Sequence, residues 1–319
     1  MKELNLNPEF SFEIVTGLPY AYWLHKQGEL KSVTTSKGMS PFYYFCDNVQ
    51  EIHTVRSVNN QINGIHTLPN DWIHHNSVAV TGKTYDLLSE NEKIEINGVL
   101  DYTEWIAPPL KSYYANDQFK LNRPFIVICN RYNIEHGKPP RGYFSIECLY
   151  NMFEILTDAG YDVVYKCPRN TEFPIDENES MTLNQGYELQ ADVQGIGVIN
   201  DYELVNRFNN VHLLDDIIKE HGLSYNESQL KLFANAAGFI SMAGGNGAFC
   251  SYFGVTNITY VTTSGELRPG YFDKNSWYKK LSNANVIPII DPEDQITKRG
   301  YHDYDKLYNT IKEEFKGVN

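Results

Sequence analysis

The sequence predicts an α/β chain of two lobes, the second built on a parallel sheet. Three observations carry that reading. The 319 residues are too many for one small core and match two domains of ordinary size. The hydrophobic and charged fractions, 42% and 21%, are those of a globular chain rather than a disordered one. From Pro124 onward, short apolar runs alternate with stretches of helical spacing, as βαβ units do.

In the first lobe, Phe10–Val15 reads as the opening strand and Pro19 to Gly28 as a helix. Proline lies in that helix's first turn and glycine at its stop. Pro41–Cys46 and Val78–Val80 read as extended, and Asn63-Gly64 and Asn97-Gly98 as turns. Strand order is not legible here. Asp101–Asn122, polar and carrying Pro108-Pro109, is the best linker and divides the chain into lobes 1–115 and 116–319.

The second lobe is clearer. Pro124–Cys129 is a continuous apolar run, expected of a strand buried on both faces. Phe144, Ile146, Cys148, Leu149, Met152, Phe153 and Leu156 then repeat at helical spacing, and Gly160 ends them. Tyr161–Tyr165 is the next strand, which completes a Rossmann-like βαβ unit. Short strands follow at Ile196–Ile199 and Val211–Leu214, a helix at Gln229–Ala237 and a strand at Gly238–Met242. Asn246–Phe253 reads as a helix, and Ile258–Val261 and Val286–Ile290 as strands. Tyr304, Leu307, Tyr308, Ile311 and Phe315 form the apolar stripe of a closing C-terminal helix. The polar stretch from Lys166 to Gly195 is either an active-site loop or a cover for short elements.

The net charge of −13 argues against a general nucleic-acid binder, which needs a basic surface for phosphates. It leaves room for a nucleotide substrate, since a diphosphate needs only a few local donors. Cys46, Cys129, Cys148, Cys167 and Cys250 form no CxxC pair, and three of them sit in apolar patterns. Free thiols in a reducing compartment follow. The first residues lack signal-peptide character and no run has membrane length, so a cytoplasmic protein without integral membrane association is expected. Tyrosine (23) and phenylalanine (16) are abundant. Rings can pack on sugars, but most serve cores.

The segment from Gly238 to Gly254 carries the chemistry. A buried strand runs into Gly244-Gly245-Asn246-Gly247 and then directly into a helix. Glycines permit positive φ and close backbone approach, and a helix start adds unpaired N–H groups. Such a turn can cradle phosphate without a lysine. As a tight strand-to-helix turn it needs no ligand at all. It is neither a Walker A sequence nor a GxGxxG fingerprint.

The strand, the small-residue turn, the short Ala/Phe-faced helix and the Phe253-Gly254 pair resemble the donor-binding half of GT-B glycosyltransferases, the Leloir type that uses sugar nucleotides. Asn235–Ser241 before the turn and Ile258–Val261 after it fit the same order. The similarity spans roughly Pro124 to Phe315, with a weaker echo in the first lobe, and identifies no subfamily. It implies two Rossmann-like lobes around a cleft, nucleotide-sugar donor on the C-terminal lobe and glycan acceptor on the other. It also implies catalysis that needs no bound metal and no cofactor beyond the donor.

Within that frame, Arg131, Lys138 and Arg141, in the loop after Cys129, are candidate partners of the donor diphosphate. Gly244, Gly245, Asn246 and Gly247 supply main-chain donors. Asp215 is a candidate for base or ribose, with a helix N-cap as its plainer role. Glu266 and Arg268, in the loop after a later strand, face the same side. Each has a plainer reading as a solvated loop residue. The catalytic base is the least legible part: His66 and Asp71, in a loop-like stretch of the first lobe, are its expected source if the transfer inverts configuration. A sugar-nucleotide epimerase of the same fold and a non-catalytic nucleotide- or glycan-binding module remain alternatives. So does a GT-A enzyme using Asp215-Asp216 with a divalent metal. Asp303-Tyr304-Asp305 reads as a helix start rather than a metal motif, and His74-His75 lacks helical zinc-site spacing.

Overall fold

The computed structural model describes residues 1–54, 56, 87, 89, 91–92, 102–132, 142–167, 188–193, 195, 197–262, 265–267, 271–272, 276–291 and 304–317. Among them, eleven strands run in chain order: β1 Lys2–Asn5, β2 Leu30–Ser36, β3 Val49–His53, β4 Phe125–Cys129, β5 Asp162–Lys166, β6 Gln190–Val193, β7 Gly197–Asn200, β8 Val211–Leu213, β9 Gly238–Met242, β10 Thr256–Val261 and β11 Val286–Ile290. The fold is mixed α/β with parallel sheets. The first three strands form a sheet in the order β1-β2-β3, and six others a sheet in the order β11-β10-β9-β4-β5-β8. Every pairing in both is parallel. The pair β6 and β7 is a separate antiparallel hairpin, and β6 lies within the polar stretch where no element was legible.

The large sheet is buried on both faces, and its central strand β4 is apolar at every position. On β4, Phe125, Val127 and Cys129 enter one core cluster, and Ile126 and Ile128 enter the other. The helix Ile146–Asp158 covers the second face with buried Ile146, Cys148, Leu149, Met152, Phe153 and Leu156. Ser145 accepts the Cys148 N–H at its start, and Gly160 turns left-handed just beyond its end (φ 88°). Asn200 and Glu203 form a capping box on the helix Asp201–Val205. The helix Asp305–Glu314 returns to the same face through Leu307 and Ile311, with Phe315 beyond it.

The other cluster joins both ends of the chain. Phe10 packs edge-on against Phe42 and Phe249, with centroids 5.8 and 6.2 Å apart. The Tyr252 hydroxyl donates to the Ile14 carbonyl, and Asn226 Nδ2 to the Gly38 carbonyl at 2.9 Å. Much of the aromatic content goes to this core.

Three local expectations are corrected. Phe10–Val15 is not a strand; the chain is helical through Phe10–Phe12, a π-helical turn Glu13–Gly17 and the helix Leu18–Gln27. Phe10, Phe12 and Ile14 alternate with Ser11 and Glu13 as in a half-buried strand. Glu13 breaks the pattern by pointing inward, where it accepts from Thr35, Tyr43 and Arg56 with no exposure. A helix buried nearly all round shows no helical period to read. Pro41–Cys46 is not extended, because Ser40–Tyr43 forms a 3-10 turn with Pro41 at its start. The helix expected over Asn246–Phe253 is six residues, Gly245–Cys250, followed by a 3-10 turn Ser251–Phe253. Val78–Val80 lies outside the described residues.

None of the five cysteines is in a disulfide. Among the described residues, no helix is long and apolar enough to cross a membrane. Gly238 opens β9 against Phe315, and a Cβ there would overlap the phenyl ring and approach Ile126. Gly238→Ala is therefore expected to lower stability by ~1–3 kcal/mol in urea denaturation, as overpacking does. The same change should cost less in a Phe315→Leu background, because the two sites share one contact.

Candidate functional site

The chain leaves β4 toward β5 and β8, then returns to the other side of β4 to lay down β9, β10 and β11. The loops after β4 and β9 therefore part in opposite directions from adjacent strand ends. In open parallel sheets, the crevice outside the carboxyl ends at such a reversal is where ligands bind.

Asn130 builds the β4 side of it. Fully buried, its Oδ1 accepts from the Arg131 and Phe144 amides at 2.9 and 2.8 Å. Its Nδ2 donates to the Phe144 carbonyl at 3.2 Å and the Tyr165 hydroxyl at 3.1 Å. Tyr165 in turn donates to the buried Asp201 carboxylate at 2.8 Å. One amide side chain thus ties together both ends of the loop that leaves β4, so that Arg131 starts from a fixed base.

On the β9 side, three glycines of the turn are glycine for three reasons. Gly244 has φ 104° and ψ −150°, backbone geometry closed to other residues. At Gly245 a Cβ would stand 3.2 Å from the Phe10 ring and 3.6 Å from Ser11 Cβ, so the N-terminal helical segment packs directly on the turn. At Gly247 it would stand 3.2 Å from both the Met242 carbonyl and the Tyr278 hydroxyl. Gly247 is thus required by packing. Asn257 Nδ2 holds its carbonyl at 3.0 Å and the Ser251 hydroxyl at 3.0 Å, while Ser241 donates to Asn257 Oδ1 at 2.9 Å.

Four side chains meet the turn. Arg131 Nε donates to the Gly142 carbonyl at 2.9 Å. Its guanidinium lies between Gly142 and Gly244, with Nη1 3.3 Å from where a Gly244 Cβ would be. Lys166, the last residue of β5, is 1% exposed and donates to Asn246 Oδ1 at 2.8 Å. The Tyr278 hydroxyl is buried against the Gly244 N–H and donates to no acceptor among the described residues. Burial, and next the nearby Glu266 carboxylate, hold that phenol far above its usual range, so it stays protonated. Glu266 is buried in the short turn Gly265–Leu267.

Of the residues expected from sequence, Arg131, Gly244, Gly245, Asn246, Gly247 and Glu266 come together here. Asp215 does not. It lies in the first turn of the helix Leu214–His221, after the edge strand β8, three positions from β9 in the sheet. Nor is it the N-cap, which is Leu213; its carboxylate accepts from the Tyr202 hydroxyl at 2.8 Å. His66, Asp71, Lys138, Arg141 and Arg268 lie outside the described residues. Asn130, Lys166 and Tyr278 were missed. Lys166 alone left a signal, as a cation closing a five-residue strand that is otherwise apolar after Asp162.

A fold of this kind is found among glycosyltransferases. The chain is similar to the structure of ADP-heptose LPS heptosyltransferase II from E. coli, at 13% identity and a TM-score of 0.52 over 99% of this chain and 98% of that one. At that identity the likeness shows the shared fold. Glycosyl transferase family 9 from Veillonella parvula overlaps at 9% identity and a TM-score of 0.46, covering 99% of this chain and 89% of that one. The iron-containing dodecameric glycosyltransferase TibC from E. coli overlaps at 9% and 0.39, covering 81% and 57%. Both are too distant in backbone to bear on the fold. No protein-family model matches the sequence, and no curated protein sequence matches it significantly.

Removing the Asn130 amide leaves the Phe144 N–H and C=O buried without their partner. Asn130→Ala is therefore expected to cost ~1–3 kcal/mol in urea denaturation. Gly244→Ala should cost a similar ~1–3 kcal/mol through its backbone angle alone.

Proposed function

We propose that the chain is a glycosyltransferase that moves a sugar from a nucleoside-diphosphate donor to a hydroxyl of a glycan or related acceptor. The observation that carries this reading is the Arg131 guanidinium folded against Gly244 at the strand reversal. A cation and a glycine backbone then face one crevice, in a fold shared with an enzyme named for an ADP-linked sugar donor. An epimerase or a binding module of the same fold would lack transfer to an acceptor, which separates them by assay.

In this reading residues 116–319 form the donor lobe, residues 1–115 the acceptor lobe, and the cleft between them the active site. The acceptor oxygen attacks the anomeric carbon, the bond from that carbon to the diphosphate breaks, and its electron pair leaves on a phosphate oxygen. Preorganised donors aimed at that oxygen lower the barrier most. Arg131 and the turn at Gly244–Gly247 fill this role, joined by Lys138 and Arg141. Glu266 and Arg268 orient donor hydroxyls and phosphates. His66 and Asp71 remain the proposed source of the base that takes the acceptor proton. The reaction needs no bound metal, and the five free thiols suit a cytoplasmic setting.

A thermal-shift screen across nucleoside diphosphates and their sugars tests the core of this. A ligand that binds the native state alone raises the melting temperature, by ~2.7 kcal/mol of apparent stability at a hundredfold excess over Kd. No shift with any of them would sink the proposal. Transfer is expected to persist in excess chelator, and to fall about 100-fold or more on replacing whichever of His66 or Asp71 is the base. Undiminished transfer in both variants would remove the assigned base and leave the donor site standing.

A further inference from the structure

Lys166 is out of place in an ordinary ledger of buried charge. A buried ammonium is normally paired with a carboxylate and has all three protons engaged. Lys166 is 1% exposed, and its hydrogen bond goes to a neutral amide oxygen, Asn246 Oδ1, at 2.8 Å. No carboxylate stands within ion-pair distance of it among the described residues. Its remaining surroundings are aromatic, the rings of Tyr225 and Phe249, each 5.9 Å from Nζ. Such contacts offset only part of the lost hydration. A second donor at the same turn is also unspent. The buried Tyr278 hydroxyl donates to no acceptor among the described residues, although it faces Gly247. A buried cation held only by a neutral amide oxygen and a buried hydroxyl with no acceptor, both beside one glycine turn, call for a common explanation.

We infer that Lys166 is the cation of an anion subsite beside the glycine turn: its ammonium, parked on Asn246, takes a phosphate oxygen of the bound diphosphate. This rests on the donor-site reading above and adds to it a further positive charge, from β5, complementing Arg131 from the loop after β4. Asn246 then keeps the ammonium aimed at the turn without neutralising it, as a carboxylate would. The turn's own helix, Gly245–Cys250, is too short to supply much dipole, so side-chain charge must do what the backbone does at longer helices.

The test is titration calorimetry of inorganic pyrophosphate and of ADP, GDP, UDP and CDP against the full chain and three variants. Lys166→Met should weaken pyrophosphate and nucleoside diphosphate binding by about 10- to 100-fold, the loss expected of one charge-assisted contact. It should leave binding of the parent nucleoside unchanged. Lys166→Arg should retain most of the affinity. Lys166→Gln, which keeps a polar chain end but removes the charge, should lose about as much affinity as Lys166→Met. If Lys166→Met melts as an unfolded chain, Lys166→Gln against Lys166→Arg carries the test, because both stay polar and only one keeps the charge.

Pyrophosphate affinity in Lys166→Met or Lys166→Gln equal to that of the unaltered chain would overturn the inference. So would an unaltered chain that binds no pyrophosphate. An unaltered chain that binds pyrophosphate through Lys166 but none of the nucleoside diphosphates would uphold the subsite and remove the glycosyl-transfer reading instead.

Discussion

The candidate site depends on one close approach, that of the Arg131 guanidinium to the backbone of Gly244. Two loops that leave adjacent parallel strands must part in opposite directions, and between them the sheet's upper edge is open. An arginine reaches across that gap only if nothing projects from the far wall. Gly244 and Gly142 supply bare backbone on both sides of it, and Asn130 keeps the arginine's own starting point from drifting. Replace either glycine, and the guanidinium loses its seat before any ligand is considered.

The rest of the chain serves that edge. With both faces of the large sheet buried, β4, β5 and β9 have no freedom to shift register without moving every side chain to the wrong cluster. Their carboxyl ends, carrying Asn130, Lys166 and the glycine turn, are held at fixed heights. The N-terminal segment is not a bystander: Phe10 and Ser11 pack on Gly245, and Tyr252 reaches Ile14. The first helical segment is thus part of the wall of the site, and the buried Glu13–Arg56 pair fixes where that wall stands. A pair with no exposure on either side contributes more to a unique arrangement than to net stability, since desolvation offsets most of its attraction.

The second half was legible because its physics is repetitive. A strand apolar at every position at Phe125–Cys129, a helix stripe from Ile146 to Leu156 and glycines at helix ends each leave a local mark, and the turn at Gly244 stood out on composition alone. The first half failed where burial was too complete. From Phe12 to Ala21 every residue is buried, which erases the contrast between faces that periodicity needs. Asp215 misled because a carboxylate after a strand reads alike whether it faces a crevice or a tyrosine three strands away. Lys166 and Tyr278 escaped for a different reason. Lys166 shows in the sequence as a cation closing its strand, but the absence of a counter-group beside it, or of an acceptor for Tyr278, among the described residues has no sequence signature.

On the proposed reading, a chain with net charge −13 holds a diphosphate by local exception. Long-range attraction works against it, since the summed field of the surface repels a diphosphate, though salt shortens its reach to ~10 Å. What remains is short-range: charge in a dry pocket, where each contact is worth several times its value in water. On the proposed reading, half-buried Arg131 and buried Lys166 supply it from neighbouring strand ends, one held by backbone and the other by a neutral amide. A surface lysine cluster would have been cheaper to build and would have been screened. A buried lysine with no carboxylate partner among the described residues is costly in the folded protein, and the simplest account of why the fold bears that cost is a ligand that carries the opposite charge.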